Sequence, residues 1–188
     1  MNVYDFDGTI YGSDSSVDFF LFALKRRPSL VRFLPAMAAG FLRYGMKRIG
    51  KTQLKECFFG FLRGIDAESL AEEFWTHSSG KILGWYKARQ QPDDVVISAS
   101  PEFLLAPICR KLGIGRLIAS RVDVRTGKFS GENCRGAEKV RRLAEEYNVT
   151  HIDEFYTDSE SDLPLAQIAD RAFLVKKGVP TEWARETK

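Results

Sequence analysis

Short hydrophobic runs recur along the chain and alternate with longer stretches whose apolar residues have helical spacing. Runs of this length, bounded by turn residues, are typical of buried strands. We expect strands at residues 2–6, 94–98, 116–120 and 154–157, and a fifth at 172–175. Because strands that alternate with amphipathic helices build parallel sheets covered by helices, the pattern predicts an α/β fold with a mainly parallel sheet.

The segment between the first two predicted strands carries only helix signals. Possible N-terminal caps are Ser15 or Ser16, Thr52 and Asp66, each placed before an apolar stretch. A crossover between parallel strands needs only about a dozen residues, so this segment is far too long for a simple connection. The sequence therefore predicts a core domain of residues 1–14 and 92–188 with an inserted helical cap domain of residues 15–91.

Two local patterns make further predictions. The stretch Ser100-Pro101-Glu102 combines a capping serine, a proline and an acidic residue, which predicts a helix that starts directly after the second strand. The alternating residues 122–130 predict a hairpin that turns at Thr126-Gly127.

Charge is distributed unevenly, although the net charge is only +3. Residues 19–63 contain ten basic residues and one acidic residue, a sum of +9, which leaves −6 for the rest of the chain. A basic cap is either an ordinary solvated surface, a field that attracts anionic substrates, or a contact with an anionic membrane. Nothing in the pattern indicates nucleic-acid binding, and it leaves the oligomeric state open.

The apolar runs, the cysteines and the N-terminal residues indicate the cellular location of the protein. The most apolar run, residues 33–42, is about half of the roughly 20 residues that cross a bilayer. The three cysteines form no CxxC pair, and no signal-peptide pattern precedes the first strand. We therefore expect a cytoplasmic protein.

Polar side chains cluster at the predicted strand ends, where open α/β sheets place their active sites. Three or four carboxylates meeting at this edge would repel each other by roughly 4 kcal/mol per pair at about 4 Å. Magnesium, which prefers carboxylate oxygens, would relieve this repulsion. The candidate residues are Asp5, Asp7 and Thr9 after the first strand, Ser98 in the second, Arg135 or Lys139 in a later helix start, and Asp158 and Asp162 after the fourth strand.

These motifs resemble the four motifs of the haloacid dehalogenase (HAD) superfamily in order and spacing. They are the N-terminal DFDGT, the strand ending at Ser98, a later basic residue, and the strand followed by DSESD. The helical insertion resembles the C1 type of cap, as in the phosphoserine-phosphatase-like branch, subfamily IB. The resemblance implies a Rossmann-like, three-layer core with a mainly parallel sheet and an inserted all-helical cap.

The resemblance also implies roles for the candidate residues. Asp5 would attack the substrate phosphorus and form an aspartyl phosphate, and Asp7 would act as general acid and base. Mg²⁺ would be held by Asp5, the main-chain carbonyl of Asp7, and Asp158, with Asp162 binding it directly or through water. Thr9 and Ser98 would bind phosphoryl oxygens, assisted by amides of the helix after Ser98.

The basic residue of the third motif is ambiguous in the sequence. One alignment with the family places it at Arg135 and another at Lys139, which we favour because a compact ammonium suits a shared site. The two positions are four residues apart and would share a face if one helix contained both.

The sequence thus predicts a Mg²⁺-dependent phosphomonoester hydrolase acting on a small-molecule or lipid phosphate. Two alternatives remain open at this point. One is a phosphotransferase or phosphomutase with the same aspartyl-phosphate chemistry. The other is a non-catalytic module that binds a membrane or a partner through its basic cap.

Overall fold

The computed structural model describes residues 1–184. Its six-stranded sheet has the order β3-β2-β1-β4-β5-β6, in which β1 to β5 are parallel and β6 is antiparallel to β5. The central strand β1 therefore has β2 and β4 as neighbours, and the carboxyl ends of these three strands meet at one edge. The strands are β1 (Asn2–Tyr4), β2 (Val95–Pro101), β3 (Arg116–Ser120), β4 (Ile152–Thr157), β5 (Ala169–Lys176) and β6 (Val179–Glu182).

Five of the eight α-helices described lie between β1 and β2. These five are α1 (Ser15–Arg26), α2 (Leu34–Gly45), α3 (Lys51–Phe59), α4 (Ala67–Ser78) and α5 (Gly84–Lys87). Short 3₁₀ segments at Pro28–Phe33, Gly60–Gly64 and Ser79–Lys81 connect them. The later helices are α6 (Glu102–Leu112), α7 (Ala137–Tyr147) and α8 (Leu163–Gln167), and a 3₁₀ turn at Glu160–Asp162 precedes α8.

Two hydrophobic clusters cover the two faces of the sheet. Alternation along β1 sends Val3 into one cluster and Tyr4 into the other. The Tyr4 cluster continues into α1 and α4 and also contains residues of α6, and Trp75 of α4 donates a hydrogen bond to the Leu104 carbonyl at 2.5 Å. The inserted helices and the sheet are therefore joined by one continuous apolar cluster. The boundaries at residues 15 and 91 remain a prediction.

The predicted helix caps are partly wrong. Asp14 caps α1 by accepting from the Val17 amide, so neither Ser15 nor Ser16 does so. Gly50 precedes α3, which places Thr52 inside the helix. Asp66 caps α4 as expected, accepting from the Ser69 amide at 3.2 Å.

The predicted end of the second strand at Ser98 and the predicted cap of the next helix are also wrong. Strand β2 continues to Pro101 and α6 begins at Glu102, so Ser100 lies in the strand and does not cap the helix. The sheet register shifts between Ser98 and Pro101, which marks an irregularity in the pairing with β3. This irregularity lies at the edge of the sheet where the polar residues gather.

The predicted hairpin is present as a short loop with one bridge, between Val122 and Phe129. Gly127 has φ +74°, and an added Cβ there would lie 2.3 Å from the Phe59 carbonyl oxygen at the end of α3. Two hydrogen bonds join the loop to the inserted helices: the Phe129 amide donates to Glu56, and Arg63 donates to the Thr126 carbonyl. The loop therefore packs directly on the end of α3.

Candidate active site

A cavity of about 460 Å³ opens at the carboxyl ends of β1, β2 and β4. It is lined on one side by polar groups from the sheet edge and on the other by residues of α1, α2 and α3. Seven of the eight residues predicted from the sequence line it, and Thr9 does not. The seven are Asp5, Asp7, Ser98, Arg135, Lys139, Asp158 and Asp162.

Asp5 follows β1 directly and is buried at the cavity floor. Its Oδ1 accepts a hydrogen bond from the Phe6 amide at 2.8 Å and lies 3.2 Å from the Lys139 ammonium. Burial raises the pKa of Asp5 to about 7; the Lys139 charge opposes this effect, and Asp162 and Asp7 add to it. No hydrogen bond to Oδ2 is found within the described chain, so this oxygen is free to meet a ligand.

Asp7 is held in a different environment. Its Oδ1 accepts from the Ser15 amide at 2.8 Å and its Oδ2 from the Ser100 hydroxyl at 2.5 Å. Burial, followed by the charge of Asp14, raises its pKa to about 6. A carboxyl with a pKa near neutrality can release and recover a proton, which is the property required of a general acid and base.

Lys139 is the basic group closest to Asp5. It is only 1% exposed, and its Nζ lies 2.6 Å from Asp162 Oδ2 as well as 3.2 Å from Asp5 Oδ1. Burial alone would lower the pKa of Lys139, but the two carboxylates outweigh it and the pKa is raised. Lys139 is therefore a permanent positive charge against Asp5.

Arg135 occupies a different position from the one expected. Helix α7 begins at Ala137 after Gly136, which has φ +57°, so Arg135 lies outside the helix and the two basic residues do not share a helix face. Arg135 is exposed at the cavity and donates to the Ser161 hydroxyl at 3.3 Å. Geometry thus favours Lys139 over Arg135 as the base of the third motif.

The Asp162 side chain accepts hydrogen bonds from other residues of the protein. Its Oδ2 accepts from Lys139 and, at 3.1 Å, from the Thr157 hydroxyl at the end of β4. These contacts fix the Lys139 ammonium beside Asp5, which indicates a positioning role for Asp162. Its predicted contact with a metal, directly or through water, stays a prediction. Asp158 also lines the cavity and is more exposed than Asp5 or Asp162; partial burial raises its pKa, with a further contribution from Asp162.

Within residues 1–184 no three His, Cys, Asp or Glu side chains are grouped in a way that could hold a metal ion. Mg²⁺ commonly uses only one or two carboxylates and keeps several waters. Asp5 and Asp158 line the same cavity and both have raised pKa values, so a cation beside them would relieve an energetic cost already present. Asp5 and Asp158 therefore fit Mg²⁺ as carboxylate ligands, and the Asp7 carbonyl as a further ligand stays a prediction.

The two predicted phosphate-binding hydroxyls differ in placement. Ser98 lines the cavity and its Oγ accepts from the Ser100 amide at 3.1 Å. Thr9 is completely buried, and its hydroxyl has no hydrogen-bond partner in the described part of the chain. A Thr9 hydroxyl outside the cavity lining does not support the predicted contact with phosphate.

Gly8 allows the chain to turn between these groups. It has φ +69°, and an added Cβ would lie 2.3 Å from Asp158 Oδ2. Glycine is therefore required both for the backbone conformation and for the close approach of Asp158 to the loop after β1.

Two residues at the site were not predicted from the sequence. Ser100 resembled a helix cap, yet its hydroxyl serves Asp7 and also lies 3.1 Å from the Ser16 hydroxyl of α1. Lys55 resembled one more charge of the basic cap, yet it reaches across the cavity and donates to the Ala99 carbonyl at 2.8 Å and to Asn133 at 3.3 Å. Burial, then the charge of Lys51, lowers the pKa of Lys55 to about 8. No local sequence signal distinguishes it from its basic neighbours.

Comparison with known proteins identifies the family of this chain. The model of the HAD family, the haloacid dehalogenase-like hydrolases, matches residues 3–167. The chain therefore belongs to the haloacid dehalogenase-like hydrolase family, and the family and the Rossmann-like α/β fold predicted from the sequence are confirmed.

Individual relatives cover the chain to different extents. Protein CicA of Caulobacter vibrioides is 29% identical over 196 residues, which span 94% of this chain and 86% of CicA. A probable phosphatase of Mycobacterium tuberculosis is 40% identical over 91 residues, 44% of this chain and 31% of that protein. The crystal structure of a probable phosphoserine phosphatase from Vibrio cholerae has a TM-score of 0.64 at 16% identity, covering 91% of this chain and 54% of that one. At this identity the likeness shows a shared fold.

Proposed function

We propose that this protein is a Mg²⁺-dependent phosphomonoester hydrolase that acts through a phosphorylated Asp5. The observation that carries the proposal is the different environment of two neighbouring carboxyls. Asp5 faces Lys139 with one oxygen free, whereas both oxygens of Asp7 accept hydrogen bonds from Ser15 and Ser100. One carboxyl is thus arranged to attack and the other to exchange protons.

In the first step Asp5 forms a bond to the substrate phosphorus while the bond from phosphorus to the ester oxygen breaks. Asp7 donates its proton to that oxygen as it leaves. In the second step a water attacks the same phosphorus, Asp7 takes the water proton, and the bond between phosphorus and Asp5 breaks. Asp5 and Asp7 return to their starting states, and inorganic phosphate is released.

Charge in this reaction is balanced by groups already in place. Lys139, positioned by Asp162, and the Ser98 hydroxyl can contact phosphoryl oxygens at the cavity floor. Mg²⁺, when bound by Asp5, Asp158 and the Asp7 carbonyl, would favour the ionised Asp5 and offset phosphoryl charge. Lys55 adds a cation from the side of the inserted helices.

The substrate class follows from the same chemistry. A phosphate monoester carries the negative charge that Lys55, Lys139 and Arg135 would attract, and all three line the cavity. The name of the Mycobacterium tuberculosis relative supports phosphatase activity as well. The proposal covers both small-molecule and lipid phosphates.

The test measures hydrolysis of p-nitrophenyl phosphate with Mg²⁺. Asp5→Asn keeps the shape of the side chain and removes the nucleophile, so hydrolysis should fall by at least about a thousandfold. Asp170→Asn is the matched control, because Asp170 is exposed at the start of β5, at the other end of the strands. An inactive wild-type protein, or an active Asp5→Asn variant beside an active control, contradicts the proposal.

A further inference from the structure

Helix α2 is apolar and yet exposed. Only Met37 and Gly40 are buried; Met37 belongs to the Tyr4 cluster, and Gly40 faces Cys57 of α3. The other large apolar residues of the helix are exposed: Phe41 is 55% exposed and Leu42 65% exposed, with Leu34 at 42%. Helices that are apolar on most sides are normally buried, so this one lacks a partner surface.

The apolar surface continues beyond the helix. Val31 precedes it and Met46 follows it, and both are about half exposed, at 52% and 45%. Together with Leu34, Phe41 and Leu42 they form what we call the α2 surface. Several large side chains on one short segment are more than the scattered apolar residues normal for a protein exterior.

Basic side chains surround the α2 surface. None of them forms an ion pair with an acidic residue within residues 1–184. The only acidic residue of the segment from 19 to 63 is Glu56, which accepts a hydrogen bond from the Phe129 amide. The surrounding residues are Arg27, Arg32, Arg43, Lys47 and Arg48, all exposed.

The α2 surface also borders the active-site cavity. Phe41 belongs to both, and it lines the cavity together with Val17, Leu54 and Phe58. Asp5 and Lys139 line the cavity from the side of the sheet, away from α2. A ligand that fills the whole cavity would therefore be a phosphate towards the sheet and apolar towards α2.

We propose that the α2 surface docks on an anionic lipid bilayer and presents the cavity to phosphomonoester headgroups of lipids. The second half of this inference rests on the proposed phosphatase activity, whereas the docking does not. An apolar face with basic residues around it is the composition of helices that lie in the membrane interface. No helix within the described residues is long and apolar enough to span a membrane.

Charge also argues against a second copy of the chain as the occupant. Two α2 surfaces brought together would oppose two basic segments of +9 each, with one acidic residue on each side. Anionic headgroups neutralise these charges instead.

The docking test is co-sedimentation of the wild-type protein with vesicles of phosphatidylcholine alone or mixed with phosphatidylglycerol. We expect binding to the mixed vesicles, weakened by salt, and little binding to phosphatidylcholine. Leu42→Glu should reduce the partition coefficient by about tenfold or more, because it places a charge in the interface. Val179→Glu is the matched control, since Val179 is 62% exposed on β6, and it should bind as the wild type does.

The other outcomes overturn the docking. Failure of the wild-type protein to bind mixed vesicles overturns it, as does equal loss in Leu42→Glu and Val179→Glu. A concentration-dependent dimer that Leu42→Glu dissociates, without vesicle binding, assigns the α2 surface to a second copy. Hydrolysis of p-nitrophenyl phosphate by each variant reports whether its fold is intact.

The substrate test compares phosphatidic acid in mixed vesicles with soluble glycerol 3-phosphate. We expect Leu42→Glu to lower kcat/KM on phosphatidic acid by about tenfold and to leave hydrolysis of the soluble ester unchanged. Equal effects on the two substrates, or no hydrolysis of phosphatidic acid, overturn the lipid assignment. Inactivity on p-nitrophenyl phosphate itself would instead contradict the proposed phosphatase.

Discussion

Lys139 carries a positive charge at a position almost closed to solvent. Its two partners, Asp5 and Asp162, are themselves buried, so each charge depends on the others. Removing one member of a buried ion pair leaves the other uncompensated, which typically costs about 3–5 kcal/mol.

Lys139→Met should therefore lower the free energy of unfolding by about 3–5 kcal/mol in urea denaturation at pH 7. Adding Asp162→Asn should recover much of this loss, since the orphaned carboxylate is removed. The control Arg135→Met changes an exposed cation and should shift stability by about 0.5 kcal/mol or less. A double variant no more stable than Lys139→Met would contradict this view of the ion pair.

Lys55 predicts a pH dependence with a defined sign. Its pKa of about 8 means that the ammonium is charged below pH 8 and becomes neutral as pH rises through that value. Loss of the Asp7 proton should already lower kcat/KM of the wild type above about pH 6, and because a cation attracts the phosphate dianion, neutralisation of Lys55 should add a second decline near pH 8.

The variant Lys55→Arg keeps the charge to much higher pH, since guanidinium has a pKa above 12. Its kcat/KM profile for p-nitrophenyl phosphate should lose the decline near pH 8. An unchanged profile in Lys55→Arg would show that another group causes the decline.

At the residue scale the sequence predicts only part of the site. Asp5 and Asp7 could be placed because a strand followed by glycine fixes where they lie. The choice between Arg135 and Lys139 depends on where α7 starts, and only the conformation of Gly136 settles that. Ser100 was assigned to a cap because its neighbours suit a helix start, whereas the strand continues through it.

At the scale of elements, the loop of residues 122–130 supports the end of α3. Gly127 and Gly113 have nearly equal φ angles, +74° and +73°, but only Gly127 has neighbours within 4 Å of an added Cβ. Substitutions at these two glycines therefore distinguish the cost of a left-handed backbone from the cost of steric overlap with a neighbour.

Gly113→Ala should cost about 1 kcal/mol of unfolding free energy, from the left-handed backbone alone. Gly127→Ala should cost roughly 2–3 kcal/mol, because the methyl group also overlaps the Phe59 carbonyl. Urea denaturation of the two variants measures the difference. Equal losses would mean that the loop moves freely away from α3.

Element boundaries were predictable where hydrophobic runs are long. Strand β3 has the predicted bounds, whereas β5 extends beyond them on both sides. Strand β6 was not predicted, because its residues are mostly exposed and it pairs through a turn at Lys177 and Gly178, both with positive φ. Short exposed strands of this kind leave no hydrophobic signal.

At the scale of the whole molecule, the fold brings the basic segment of residues 19–63 and acidic residues from the rest of the chain to one cavity. The sheet edge supplies Asp5, Asp7 and Asp158, and the inserted helices supply Lys51 and Lys55. The separation of charge was evident in the sequence, but the reach of Lys55 to Ala99 depends on how the helices pack on the sheet. An anionic substrate would enter between the two.

The phosphorylation of Asp5 is the central claim, and it can be measured directly. A reaction of the wild-type protein with p-nitrophenyl phosphate and Mg²⁺ is quenched rapidly in acid during turnover. The protein is then digested, and the masses of its peptides are measured by mass spectrometry. We predict one added phosphoryl group on the N-terminal peptide that contains Asp5, absent in Asp5→Asn. Hydrolysis at the full rate without this peptide, or a phosphoryl group that persists in Asp5→Asn, would contradict the account.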